Sequence, residues 1–153
     1  MKLSTRAIYG LRALIDLGLY SEEEAVSLQS IATRQNLSVG YLEQLMAMLK
    51  KAGLVSSIRG ASGGYRLARP AEQISVGDIL RVLEGGLEAV RCPGNTGESC
   101  TSSPEDACHG ADVCVAKLVW QRINNSITNA VDTLMLSELI EAGREKMTDA
   151  DHE

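Results

Sequence analysis

All four cysteines of the chain fall between positions 92 and 114, and this clustering restricts the structures that the segment can adopt. They are Cys92, Cys100, Cys108 and Cys114, with seven, seven and five residues between successive members. Most of the neighbouring residues are turn formers: PGNTG follows the first cysteine, TSSP the second and HG the third. Because such residues cannot cover buried thiols with apolar surface, the segment is better suited to bring thiolates together around a metal.

The length and composition of the chain fit one globular domain, or one small domain with an appended dimerisation element. Of the 153 residues, 44% are hydrophobic, which is enough for a core. No run of about 18 apolar residues is present to span a bilayer, and the first residues, MKLSTRAIYG, lack the pattern of a signal peptide. We therefore expect a cytoplasmic protein, where clustered cysteines bind metal or respond to redox state more readily than they form structural disulfides.

The formal charge of -5 conceals two parts of opposite sign. Up to Arg69 the chain has nine basic and five acidic residues, a balance of +4, and the remainder has six basic and fifteen acidic residues, a balance of -9. A basic module joined to an acidic one is typical of a protein whose first part binds a polyanion.

The first part of the chain predicts three helices followed by a hairpin. Ser4 is expected to cap a helix whose core face carries Ile8, Leu11, Ile15 and Leu19. A short helix follows Ser27 and ends near residue 36, and a third covers residues 39–52, with Gly53 as its terminator. Two β-prone runs, LVSSI and YRLA, flank the basic glycine-rich segment RGASGG, as in a hairpin.

The predicted fold class is therefore mainly α with a small β-hairpin, a winged helix-turn-helix domain plus a long C-terminal dimerisation helix. The boundaries expected along the chain are the winged helix-turn-helix domain at 1–70, a linking helix at 71–91, a cysteine-rich cluster-binding loop at 92–114, a dimerisation helix region at 113–140 and a polar tail at 141–153. Ser75 begins a capping-box pattern for the linking helix, predicted over residues 76–84. The apolar stripe of the dimerisation helix comprises Val119, Ile123, Ile127, Ala130 and Leu134.

The third helix and the wing supply the residues expected to contact double-stranded DNA. Tyr41, Glu43 and Gln44 are predicted to face away from the core and to reach base edges, and Arg59 at the wing tip is predicted to enter a minor groove. The remaining residues suit phosphate contacts or close backbone approach; the whole predicted set is Arg6, Ser38, Gly40, Tyr41, Glu43, Gln44, Lys51, Arg59 and Gly60, with Lys50 beside it.

Three stretches of the sequence closely resemble the IscR-type iron-sulfur regulators, which are winged-helix transcription factors of bacteria. They are SVGYLEQL from residue 38, KAGLVSSIRG from residue 51 and GGYRL from residue 63, and the likeness extends to VRCPG and CVAKLVW. It covers roughly residues 1 to 140. The resemblance implies a homodimer that binds palindromic operators and responds to an iron-sulfur cluster, most often [2Fe-2S].

The resemblance also implies three of the cluster ligands, Cys92, Cys108 and Cys114. At the position where the IscR type has a histidine, this chain has Lys117, whose ammonium cannot ligate while protonated. The nitric-oxide-sensing members use an aspartate where this chain has Ile8, which argues against that function. Cys100 is the favoured fourth ligand because four thiolates are a common environment for an iron-sulfur cluster, and His109 is the rival.

Other functions are compatible with parts of this pattern. A thiol/disulfide redox switch without a cluster fits the adjacent cysteines, and a non-DNA-binding iron-sulfur carrier fits them without using the wing. Structural zinc is disfavoured because its usual closely spaced cysteine pairs are absent from the sequence. The glycine-rich segment lies in a hairpin instead of leading into a helix, and no nucleophile with a base stands out, so we do not expect an enzyme.

Overall fold

The computed structural model describes residues 2–89 and 115–152, so the four cysteines and His109 lie outside the described residues. The elements in chain order are α1 (Thr5–Tyr20), α2 (Leu28–Gln35), α3 (Val39–Lys51), β1 (Val55–Ile58), β2 (Gly64–Leu67), a 3₁₀ turn (Ala71–Gln73), α4 (Val76–Glu84), α5 (Ala116–Asp132) and α6 (Leu136–Ala150). This arrangement confirms the predicted fold class, mainly α with one antiparallel hairpin.

A tight turn joins α2 to α3, and its residues explain why both helices begin and end where they do. Asn36 ends α2 in the left-handed conformation, with φ of 54°, and its N–H donates to the carbonyls of Ala32 and Thr33. Ser38 then caps α3, since its Oγ accepts from the N–H of Tyr41 at 3.2 Å. The predicted helix-turn-helix is thus present with its predicted caps.

The hairpin is short, but the segment before α2 holds it in place. β1 pairs antiparallel with β2, and Ile58 lies opposite Gly64 at the end of the ladder. Val26 adds an isolated antiparallel bridge to Tyr65, with both backbone N–H···O distances at 2.8 Å. The returning strand of the wing is therefore paired on both sides.

The core is formed mainly by α1, α3 and α4, together with the first turns of α6. From α3 it includes the predicted face, Leu42, Leu45, Met46 and Leu49. The face predicted for α1 is wrong: Leu11, Ile15 and Leu19 are only partly buried and Ile8 is 46% exposed. The buried residues of α1 are instead Ala7, Gly10, Ala13, Leu14, Asp16, Leu17 and Gly18. Small residues on this face allow neighbouring helices to approach closely, as Leu83 does at Gly10.

α4 begins as predicted, with reciprocal bonds between Ser75 and Asp78 that form a capping box, and it ends at Gly85, which has φ of 81°. The segment after the cysteines differs from the prediction of one long helix followed by a polar tail. α5 ends at Asp132, and a second helix, α6, continues through the supposed tail to Ala150. Because Leu136 and Ile140 are buried, α6 packs back onto α1, where Gly18 lies directly beneath Ile140.

Candidate nucleic-acid interface

One face of α3 is exposed along its whole length and carries most of the residues predicted to reach base edges. Gly40, Glu43, Gln44, Ala47 and Lys51 are all exposed, and their spacing of three and four residues places them on one stripe. Nothing lies within 4 Å of the position that a Cβ on Gly40 would occupy. The stripe is therefore open, and small residues at 40 and 47 let the helix backbone approach a groove closely.

Ala47 was missed from the sequence because it has no polar group. Its spacing from Gly40 and Gln44 was the available signal, since residues at i and i+7 or i and i+3 share a helix face. A methyl group at this position is suited to contact the methyl of a thymine.

Tyr41 does not face outward as predicted. Its ring is half-buried against the core and packs edge-on against Tyr9 of α1, with centroids 6.3 Å apart and planes at 85°. Its hydroxyl is buried without a hydrogen-bond partner among the described residues. The helix turns residue 41 toward α1 because Leu42 and Leu45 must enter the core, and this places the ring at the boundary of the two faces.

The wing tip presents a guanidinium that is free to interact. Arg59 is exposed and makes no hydrogen bond or ion pair within the described part of the chain. Gly60 has φ of 116°, a region that favours glycine, and its carbonyl accepts from the N–H of Gly63 at 3.0 Å. A Cβ on Gly63 would overlap the carbonyl oxygen of Ile58. These glycines close the tip tightly and leave the arginine projecting from it.

A side-chain bond joins the recognition helix to the wing. Lys50 Nζ donates to Ser57 Oγ on β1 at 2.6 Å. The ammonium of Lys50 is therefore engaged in a bond within the protein, whereas Lys51 has no hydrogen bond or ion pair among the described residues. The bond ties the exposed stripe of α3 and the wing into one surface.

A buried carboxylate holds α2 against α1 behind that surface. Asp16 is 2% exposed and accepts from Arg34 through Nε at 2.9 Å and Nη2 at 2.6 Å, and from Gln35 Nε2 at 3.0 Å. The hydrogen bond that Arg34 donates to Asp16 raises the pKa of Arg34, although burial opposes it. The guanidinium also lies 3.9 Å from the ring centroid of Tyr20. This network holds the last turn of α2 against α1, directly before the turn that leads into α3.

Arg6 lies apart from the other predicted DNA contacts. It is exposed in the first turn of α1. Hydrogen bonds from the side chain and the backbone N–H of Ser4 lower the pKa of Glu84, and the positive charge of Arg6 adds a smaller lowering. No described contact brings Arg6 to α3 or the wing. Its role in binding a phosphate stays a prediction.

The cysteine positions and His109 fall outside the described residues, so their predicted roles as ligands stay predictions. Within residues 2–89 and 115–152, no three His, Cys, Asp or Glu side chains are grouped to hold a metal ion. Among the described helices, none is both long and apolar enough to cross a membrane.

Comparison with known proteins finds a matching family model and similar named relatives. The family model described as "Rrf2: Iron-dependent Transcriptional regulator" matches residues 3–142. The chain is 36% identical over 140 residues to the HTH-type transcriptional regulator IscR of Pectobacterium carotovorum subsp. carotovorum (strain PC1), an alignment that covers 92% of this chain and 79% of the relative.

Solved structures of similar proteins share the fold. T. potens IscR superposes with a TM-score of 0.73 and is 42% identical, covering 95% of this chain and 90% of its own. CymR (YrzC), the global cysteine regulator of B. subtilis, superposes with a TM-score of 0.74 and is 38% identical, covering 93% of this chain and 98% of its own. The winged-helix architecture is thus common to all three chains.

Proposed function

The chain belongs to the Rrf2 family of transcriptional regulators, and on that premise we propose that it binds palindromic operators as a two-fold dimer and responds to an iron-sulfur cluster. The named relatives are transcriptional regulators and not enzymes, in agreement with the expectation from the sequence. One observation carries the DNA-binding part of the proposal: α3, with its open stripe, is bonded through Lys50 and Ser57 to a wing whose tip arginine is unpaired in the described structure.

The chemistry of the stripe suggests how a sequence is read. Gln44 can bond both edge groups of an adenine, and Glu43 can accept from the amino group of a cytosine. An exposed carboxylate on a DNA-facing helix repels phosphates, so Glu43 penalises operators that lack its partner base. Arg59 suits a narrow, A·T-rich minor groove, where the negative potential is strongest.

The experiment is selection of operators from random duplexes, followed by fluorescence-anisotropy titration of the best sequence. We expect Arg59→Ala to weaken operator binding by about 5- to 150-fold, corresponding to roughly 1–3 kcal/mol, and to weaken the preference for A·T pairs in the flanks. Arg69→Ala is the matched control, since Arg69 is also an exposed arginine but follows the hairpin. Equal affinity for selected and random duplexes would contradict the proposal.

The dimer part of the proposal is supported by the surface of α5. None of its residues is buried, and on its N-terminal side Leu118, Val119 and Ile123 are 66%, 51% and 38% exposed. A second copy of the same helix would cover this apolar face. We expect Ile123→Glu to produce monomers in analytical ultracentrifugation, while Ala142→Glu, at an exposed position of α6, leaves the dimer intact. A dimer that survives Ile123→Glu would contradict α5 as its interface.

The cluster part of the proposal is supported by the family description and by the donor chemistry of the cysteine positions. Thiolates are the usual ligands of iron-sulfur clusters, which here would supply a reversible redox and iron-responsive group. The proposed ligands are Cys92, Cys108 and Cys114, with Cys100 as the fourth and His109 as its rival. The [2Fe-2S] type belongs to the same proposal.

Visible absorption and Mössbauer spectra of anaerobically purified protein test this part, with Cys100→Ala and His109→Ala measured beside the wild type. We expect Cys100→Ala to change the spectrum and His109→Ala to leave it unchanged. Iron-free protein under these conditions would contradict the cluster.

A second candidate is a thiol/disulfide switch without a metal, and the similarity to CymR favours it. The cysteine spacing permits disulfides in a segment rich in turn formers. Mass spectrometry of alkylated protein, before and after mild oxidation, distinguishes the two candidates. Reversible loss of two free thiols in iron-free protein, together with altered operator affinity, supports the switch.

A further inference from the structure

α5 is joined to the rest of the protomer mainly by polar contacts. It has no buried side chain, and Val131 is its one residue packed partly against the described core. Arg81 of α4 and Asp132 form two parallel hydrogen bonds, Nη1 to Oδ1 at 2.7 Å and Nη2 to Oδ2 at 2.8 Å. The N–H of Ala89 also donates to Asn124 Oδ1 at 3.0 Å. The direction of α5 relative to α4 therefore depends on a few directional bonds.

The Asp132 carboxylate that accepts from Arg81 is also in close contact with the backbone of α4. A Cβ on Gly77 would overlap Asp132 Oδ1, so the carboxylate lies directly against the backbone of α4. Just beyond it, the N–H of Val76 donates to the carbonyl of Leu134 at 2.8 Å. A planar two-bond pair fixes orientation as well as distance, and here the backbone beside it leaves little freedom.

α4 in turn is packed into the DNA-reading domain. Ile79, Leu80 and Leu83 are buried, and α4 contacts both α1 and α3. Since packed helices move as a unit, the angle between α4 and α5 is also the angle between the recognition helix and α5.

We infer that Arg81 and Asp132 are positioning residues that set the spacing between operator half-sites at which the dimer binds. This inference rests on the proposed function, because it requires a two-fold dimer assembled through α5. α5 has 17 residues and at 1.5 Å per residue extends about 25 Å. A tilt of about 8° at Asp132 therefore moves its far end by about 3.5 Å, close to the 3.4 Å step of one base pair.

The test uses operators whose half-sites are brought one base pair closer or moved one base pair apart. We expect the wild-type dimer to lose at least about tenfold in affinity at either altered spacing, because the DNA must deform to fit a fixed dimer. Asp132→Asn and Gly77→Ala should reduce this loss to about threefold or less, the first by removing the paired charge and the second by displacing the carboxylate. The ratio of dissociation constants between spacings is the readout, and it is insensitive to a uniform loss of folded protein.

A control variant and a charge-exchange variant distinguish a change in spacing preference from a general loss of binding. Glu22→Gln breaks the ion pair between Glu22 and Arg144, which ties α6 and not α5 to the domain, and should leave the spacing ratio unchanged. The charge exchange of Arg81→Asp with Asp132→Arg should recover part of the wild-type ratio. Variants that weaken binding at all spacings by the same factor would overturn the inference and leave the proposed function standing. Wild-type protein without any spacing preference would overturn the two-fold operator itself.

Discussion

Replacement of Asp16 by asparagine removes a buried charge and tests whether its network holds the helix-turn-helix together. Asp16 accepts bonds from both Arg34 and Gln35, and its side chain is 2% exposed. The asparagine amide turns a donor toward one of these donors, so at least one bond is lost and the guanidinium of Arg34 loses its counter-charge. The variant keeps the size of the side chain, which separates the electrostatic effect from packing.

The expected cost follows from the burial of the two partners. Breaking a fully buried ion pair by removing one partner costs about 3–5 kcal/mol. The side chain of Arg34 is 31% exposed, so water can partly solvate the orphaned cation, and we expect about 2–3 kcal/mol. For a chain of this size that corresponds to a fall in Tm of about 4–12 °C.

The assay is urea and thermal unfolding followed by circular dichroism, at one fixed protomer concentration because the proposed dimerisation would also stabilise the fold. Asp149→Asn makes the same chemical change at an exposed position of α6 and should alter the free energy of unfolding by less than about 0.5 kcal/mol. Adding Arg34→Met to Asp16→Asn should recover part of the loss, since the orphaned cation is removed. An Asp16→Asn effect as small as that of Asp149→Asn would refute the reasoning.

Three further perturbations probe helix contacts with thermal or urea unfolding. Gly18→Ala should cost about 1–3 kcal/mol, because the new methyl overlaps Ile140, and Ile140→Val in the same chain should relieve part of the loss. Ser75→Ala removes the cap of α4 and should cost about 1–2 kcal/mol in a urea titration. Hydrogen bonds from Ser4, from its side chain first and its backbone N–H second, lower the pKa of Glu84 from its usual 4.5, so the carboxylate stabilises the fold fully above that pH and less as pH falls through the lowered pKa. The Tm difference between wild type and Glu84→Gln should accordingly be largest near pH 7 and shrink as pH falls below 4.5, and a constant difference would contradict this.

The sequence predicted the elements of the DNA-reading domain closely because its local signals agree with its packing. Ser38 is both a good cap and the first residue before a clean apolar spacing in α3, so the predicted and observed helices differ by one residue at the end. The hairpin was equally clear, since glycines mark the tip. Where the helix caps and the apolar periodicity indicate the same boundaries, the local sequence is enough to predict the element.

The same reasoning failed where burial is decided by neighbouring helices. α1 is covered on one side by α4 and α6, and the residues that fit this tight space are small, such as Ala7 and Gly10, while the larger Ile8 is left exposed. A search for large apolar residues therefore selected the wrong face. The polar sequence of α6 concealed its first turns, where two apolar residues, Leu136 and Ile140, are enough to attach the helix.

Two kinds of contact hold the described protomer together: an apolar core in the DNA-reading domain and directional polar bonds to α5. The DNA-reading domain is fixed by an apolar core, whose packing permits few alternative arrangements. α5 is held by hydrogen bonds and one ion pair that is more than a third exposed, and such contacts exchange with water at small net cost. Ala89, the last described residue before the cysteine segment, bonds to Asn124 of α5, and the segment ends where α5 begins. These bonds fix the direction of α5 while they are made but cost less to break than a packed core, so in the proposed dimer a change of state in that segment would alter the placement of the two reading domains without disturbing either core.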